Sequence, residues 1–230
     1  MVLGSGLVAN GFKAYNKDEN YLIFASGVSN SANTDNIEFS RERDLLKKAI
    51  SDHPKKILVY FSTCSIYDDS LQHSPYIRHK KEMEKLIQEN HSHYHIFRVS
   101  NLVGKTDNPH TVINFFAKHI QSGQPFLVWE NAARNIIDME DALAVCNYIL
   151  ENLLFENEIT NIANPSNYPI REIVRTIEEV LHRKGNYELI HKGSHPDIDT
   201  SGIREIFTVL NMRFDNEYLR RTIKKYFGNS

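Results

Sequence analysis

The chain has 230 residues, 41% of them apolar and 24% charged, with a formal charge of −2 at neutral pH. This is the balance of an ordinary globular protein, with room for one domain and a small appendage and no electrostatic pull toward nucleic acid or an anionic membrane. The longest apolar runs stay under about ten residues, where a membrane helix needs roughly 20. The start, MVLGSGLVANG, has no basic region ahead of a long apolar core, and Cys64 and Cys146 form no metal-type or paired spacing, so a cytoplasmic protein with reduced thiols is expected.

Short apolar runs alternate with stretches of helical period, the pattern of a parallel sheet covered by helices. A first strand over Met1 to Leu3 runs into Gly4-Ser5-Gly6, followed by a helix over Leu7 to Tyr15. Tyr21 to Ala25 is a buried strand ending in Ser26-Gly27. Residues 35–53 place Ile37, Leu45, Leu46 and Ile50 at helical spacing behind Asp35, a candidate N-cap. Lys56 to Phe61 is the next strand, with Ser62-Thr63-Cys64-Ser65 at its carboxyl end. Tyr76 to Asn90 is helical, Tyr94 to Val99 a strand, and Val112 to Ser122 a helix. The regularity then loosens: strands over Pro125 to Val128, Ile159 to Ala163 and Tyr187 to Ile190, a strand turning into a helix over Asn135 to Leu150, and helices over Ile170 to Arg183 and Glu217 to Phe227. The expected fold is α/β: a Rossmann-like core over 1–105, with returning segments near 135–163, and a smaller lobe over 106–134 and 164–230. Ligands in such sheets bind beyond the carboxyl ends of the strands, which directs attention to 4–9, 26–30, 62–67 and 98–104.

Gly4-Ser5-Gly6-Leu7-Val8-Ala9 fits G-x-G-x-x-G/A between a strand and a helix. Glycines there let backbone amides approach a pyrophosphate at a helix N-terminus; an ordinary tight turn is the alternative. A full dinucleotide fold adds an acidic residue about 20 positions on, at the end of a second strand, to hold a ribose. Only about nine residues separate Gly11 from the next buried strand, so that unit is missing, and Asp18 and Glu19 in the gap read as solvated turn residues. The cofactor half is shortened.

Tyr76 and Lys80 are four apart on a helix that Pro75 starts well, so a phenol and an ammonium share one face. A nearby positive charge lowers a tyrosine pKa toward useful acid/base chemistry. A solvated helix face is the alternative. The hydroxyl of Thr63, thirteen residues upstream, supplies a hydrogen-bonding group for a substrate oxygen.

The run ILVYFSTCSIYDD followed by SPYIRHKKEMEKLI resembles the strand-five motif and Tyr-Lys helix of extended short-chain dehydrogenases/reductases, the NAD-dependent epimerase/dehydratase group. FRVSNLVG is similar to that family's R-x-x-N-x-x-G segment, ARNIIDMEDAL to its R-D-x-I-H-V-x-D-x-A segment, and NIANPSNYPIREIVRTIEEVL to the stretch where the substrate lobe resumes. Together these span nearly the whole chain in order. The resemblance implies Thr63, Tyr76 and Lys80 as the catalytic group, with Tyr76 the acid/base and Lys80 holding the nicotinamide ribose. It implies NAD or NADP near Gly4, Gly6, Leu7, Val8, Ser26, Gly27 and Val99, with Ser100 beside Val99. It also implies a nucleotide-sugar substrate near Cys64, Ser65 and Asn101, with Arg134 clamping a diphosphate. A homodimer through the helices at 36–53 and at Tyr76 follows from the same resemblance.

The departures narrow the chemistry. Dehydratases of the group carry an acidic pair after the threonine; Cys64 and Ser65 stand there instead, which speaks against water elimination. One step along a strand end reverses side-chain direction, so a core position and a place beside the substrate are both open to Cys64. His53, His73, His79, His91, His93 and His95 form no metal-binding spacing, with His91–His95 expected in a surface turn. The expected activity is reduction of a 4-keto sugar or 4-epimerisation on a nucleotide-linked sugar, in surface-polysaccharide precursor synthesis. A family member that binds a nucleotide sugar or dinucleotide without turnover is the alternative.

Overall fold

The computed structural model describes residues 1–228. The core is a five-stranded, all-parallel sheet. It begins with β1 (Val2–Leu3), α1 (Leu7–Gly11), β2 (Tyr21–Phe24), α2 (Asn36–Asp52), β3 (Ile57–Thr63), α3 (Pro75–Asn90) and β4 (Tyr94–Val99). The chain continues through β5 (Asn101–Val103), α4 (Val112–Ser122), β6 (Phe126–Trp129), β7 (Ala133–Asp138), α5 (Met139–Glu151), β8 (Glu158–Ile162), β9 (Asn167–Pro169) and α6 (Ile170–Leu181). It ends with β10 (Tyr187–Ile190), α7 (Arg204–Val209) and α8 (Tyr218–Phe227).

The sheet order is β1-β2-β3-β4-β8. In a full doubly wound sheet the first strand lies in the middle; here it is two residues long, pairs only through Val2–Ile23 and Leu3–Phe24, and forms an edge. The shortening read from the spacing after Gly11 therefore appears as a missing flank beyond β1. The expected helix over Leu7 to Tyr15 is split into α1 and a 3-10 turn over Lys13–Lys17.

Both faces of the sheet are covered, which explains the continuous apolar runs. Leu22, Phe24, Leu58, Tyr60 and Ile96 face α2 and α3, meeting Leu46, Ala49, Met83 and Ile87. Ile23, Val59 and Phe97 face the other way, against Ala142, Val145 and Ile149 of α5. Asp35 caps α2, accepting the Ile37 amide at 2.8 Å. Ile37 itself, placed on the apolar stripe by its spacing, is exposed; the inward stripe is Phe39, Glu42, Leu46 and Ala49. His91 and His95, expected in a surface turn, are buried instead, His95 being part of β4.

The second half forms its own core from α4, α6, α8 and β6, centred on Ile113, Ile120, Ile173, Ile177 and Ile223. Two small sheets flank it, β10 beside β6 and β5-β7-β9. Within the stretch expected to form the lobe, α7 lies apart, since Ile203, Ile206 and Phe207 join the sheet-side core. Asn135, buried on β7, ties the two parts: it donates to the Asn164 and Ser166 carbonyls and accepts from the Asn164 amide.

Candidate functional site

Most of the expected site residues lie along the carboxyl ends of β1 to β4 and the start of α3, while Asn101 stands on β5 and Arg134 on β7. Gly4 has φ +135°, and a β-carbon there would lie 2.3 Å from the Ala25 carbonyl oxygen. Only glycine lets the turn after β1 rest on the end of β2. Gly6 has nothing within 4 Å of a built β-carbon, so its backbone faces open space. Leu7 and Val8 are half-buried, with Leu7 packed against Gly104.

Thr63 ends β3 and Tyr76 begins α3, which is capped by Ser74 through the Ile77 amide and carries Pro75 at its first position. Both side chains are buried, with the Thr63 hydroxyl beside the Tyr76 phenol. Burial raises the Tyr76 pKa above 10, the neighbouring Thr63 hydroxyl works the other way, and the nearby Glu42 charge adds to the rise. The expected lowering by Lys80 is not what this geometry produces.

The reason is where Lys80 goes. Its ammonium lies 3.0 Å from Glu42 Oε1 and 3.1 Å from the Tyr60 hydroxyl, and 6.0 Å from the centre of the Tyr76 ring. Glu42 is fully buried on α2 and accepts from four groups: Lys80, the Tyr60 hydroxyl at 2.6 Å, the Val28 amide at 2.7 Å, and His79 Nε2 at 3.0 Å. Burial alone would raise its pKa, but the Lys80 charge and the hydrogen bonds from His79, Tyr60 and Val28 outweigh that and hold the carboxyl well below its usual range. The pair sits under Gly27, where a β-carbon would come within 2.7 Å of the ammonium and 2.8 Å of Glu42. Gly27 is needed for the ion pair.

Arg98, on β4, makes a bidentate pair with Glu84 of α3 at 2.9 and 2.6 Å; Ser62 also donates to Glu84, and Tyr67 accepts from Arg98 at 3.0 Å. Val99 is buried at the end of β4, and the Ser100 hydroxyl beside it is buried without a partner. Arg134, on β7, lies 3.3 Å from Asp68 and is three-quarters or more out of solvent; Asp68 also accepts from Ser194, which belongs to the strap that follows β10. Asn101 donates to the Asn135 carbonyl at 2.9 Å. Cys64 is a core residue: its thiol donates to the Arg98 carbonyl at 3.0 Å, and burial pushes its pKa up. Ser65 is half-exposed and its amide donates to Thr63 Oγ1 at 3.0 Å.

Spacing singled out Thr63, Tyr76 and Lys80 but not the acids that hold the cations, Glu42, Glu84 and Asp68. Glu42 had a usable signal. It stands three after Phe39 and four before Leu46, a carboxylate inside an apolar stripe, which a buried cation must match.

Comparison with known proteins places this geometry in a family. The NAD dependent epimerase/dehydratase family model matches residues 23–163, well over half of the chain; the chain belongs to this family. A search of curated protein sequences gave no match. Among solved structures, a dTDP-glucose 4,6-dehydratase from Streptomyces venezuelae with NAD and TYD bound is similar at TM-score 0.72 and 16% identity, covering 96% of this chain and 77% of that one. RMD from Pseudomonas aeruginosa complexed with NADPH is similar at TM-score 0.71 and 14% identity, covering 97% of each chain. UDP-glucose 4-epimerase from Thermus thermophilus in complex with NAD is similar at TM-score 0.69 and 17% identity, covering 98% of this chain and 84% of that one. At these identities the likeness is one of fold.

The family's dinucleotide can be tested against the residues present. The open face of Gly6, the glycine turn against Ala25 and the unpartnered Ser100 hydroxyl fit the phosphate and nicotinamide end of such a molecule. The adenosine end has less, since among the described residues no strand flanks β1 on its outer side.

Proposed function

We propose that the chain is an NAD(P)-dependent enzyme acting on a nucleotide-linked sugar, by reduction of a 4-keto group or by 4-epimerisation, in the making of surface-polysaccharide precursors. The observation that carries this reading is the meeting of Thr63 and Tyr76 at the strand ends, next to the glycine turn. The relatives named above, crystallised with NAD or NADPH, support it.

When bound, the nicotinamide supplies or accepts the hydride at the sugar carbon. Tyr76 gives its proton to the sugar oxygen as the carbon becomes an alcohol; a pKa held above 10 keeps the phenol in its acid form at neutral pH. Thr63 hydrogen-bonds the phenolate left behind and orients the ring. Glu42 and Tyr60 hold Lys80 behind the phenol. Val99 and the Ser100 hydroxyl border the nicotinamide, Gly4, Gly6, Leu7, Val8, Ser26 and Gly27 the rest of the dinucleotide, and Ser65 and Asn101 the sugar. Arg134 meets the substrate diphosphate, in exchange for Asp68. Water elimination is disfavoured, because Cys64 and Ser65 stand where a dehydratase pair would be needed.

A second reading, binding without turnover, draws on the edge position of β1 and on the engagement of Lys80 by Glu42. The discriminating experiment is calorimetry with NADH, NADPH and a set of nucleotide sugars, followed by turnover with a nucleotide 4-keto sugar. Dinucleotide binding with consumption of the reduced cofactor is expected. Sugar-nucleotide binding with no dinucleotide binding would favour the second reading.

A further inference from the structure

Four cations stand near the carboxyl ends of β2, β3 and β4 and the start of β7, and three are already neutralised by acids that are almost out of solvent. Lys80 is held by Glu42, Arg98 by Glu84, and Arg134 by Asp68, acids whose side chains are between 0% and 5% exposed. The fourth, Arg41 on α2, differs. Its side chain is 44% exposed, and it pairs with Glu38, three residues earlier, at 3.3 Å and 45% exposed. Water screens such a pair, and another anion displaces it readily.

Arg41 is also fixed in place. Its two terminal nitrogens donate to Ser26, one to the hydroxyl at 3.3 Å and one to the carbonyl at 3.2 Å. With the Glu38 contact through Nε, three of the five guanidinium N–H donors are in use. Two remain for a ligand, on a fork whose orientation is already set. Ser26 in turn abuts the glycine turn, because a β-carbon on Gly4 would lie 3.2 Å from the Ser26 nitrogen. The guanidinium therefore stands one residue from the turn whose next glycine, Gly6, faces open space.

We propose that Arg41 binds a phosphate of the dinucleotide and takes over part of the anchoring that the missing strand beyond β1 would have supplied. This rests on the cofactor reading above. An ion on the remaining two donors is a charge-assisted, two-point contact, the kind Arg makes with phosphate oxygens.

The test is calorimetry of the full chain with NADH and with NADPH, for wild type, Arg41→Ala, Arg41→Lys and Glu38→Gln, with thermal melts to confirm folding. Arg41→Ala is expected to weaken binding roughly 10- to 100-fold. Arg41→Lys should weaken it less, and Glu38→Gln should tighten it by removing the competing carboxylate. Equal losses for both cofactors identify the pyrophosphate as the partner; a loss confined to NADPH identifies its additional ribose phosphate. Unchanged affinity in a folded Arg41→Ala protein overturns the inference and leaves the cofactor reading intact. Failure of the wild type to bind either dinucleotide overturns both.

Discussion

Lys80 and Glu42 meet at 3.0 Å with their side chains 2% and 0% exposed, and they occupy the space beneath Gly27 where any β-carbon would lie. An isolated buried charge is unstable, so each member makes the other tolerable. The pair also decides where the ammonium points: toward the Tyr60 hydroxyl at 3.1 Å, and not to the Tyr76 oxygen. A motif that promises an activated tyrosine is thus tied into the helix-side core.

Glu42→Gln should destabilise the fold by about 3–5 kcal/mol, because it leaves Lys80 buried without its counter-charge. Urea unfolding measures this. The double variant Glu42→Gln/Lys80→Met should recover a large part of the loss, and a double variant no better than the single one would contradict the pairing.

Acid should act through the same group. The folded Glu42 carboxyl is held well below its ordinary 4.5, so its contribution is fully present above that value and declines as pH falls beneath it. The stability difference between wild type and Glu42→Gln should therefore be constant near neutrality and shrink between about pH 4.5 and pH 3. A difference that grows on acidification would contradict the assignment.

Asp68 competes for Arg134. Asp68→Asn keeps an acceptor oxygen for the Ser70 amide at 3.0 Å but removes the charge facing Arg134 at 3.3 Å. Affinity for UDP or dTDP should rise by about tenfold, and Arg134→Ala should abolish the gain. Calorimetry with both nucleotides reads the effect, and unchanged affinity in Asp68→Asn would show that Arg134 has no phosphate role.

Much of this was legible in the chain. Continuous apolar runs marked β2, β3 and β4, an apolar face at helical spacing marked α6, and the gap after Gly11 announced the missing flank that left β1 as an edge. The placement of Thr63 and Tyr76 could be read because it is set by one strand end and one capped helix, both local features. Glu42 left a local signal in its apolar stripe, but which cation each acid meets was not legible, because Glu42, Glu84 and Asp68 reach Lys80, Arg98 and Arg134 across sequence separations that no local pattern encodes. Short β5 and β9 and the return of α7 to the sheet depend on tertiary packing, as does the burial of His95 in β4 beside Phe97.

The most direct test follows loss of reduced-nicotinamide absorbance with a nucleotide 4-keto sugar, comparing wild type with Tyr76→Phe. Wild type should turn over at a rate nearly independent of pH from about 6 to 9, since burial keeps the phenol protonated there. Tyr76→Phe, with its fold and cofactor affinity intact, should lose about 10²–10⁴ in kcat. Equal turnover by the two proteins would contradict the claim that Tyr76 transfers the proton.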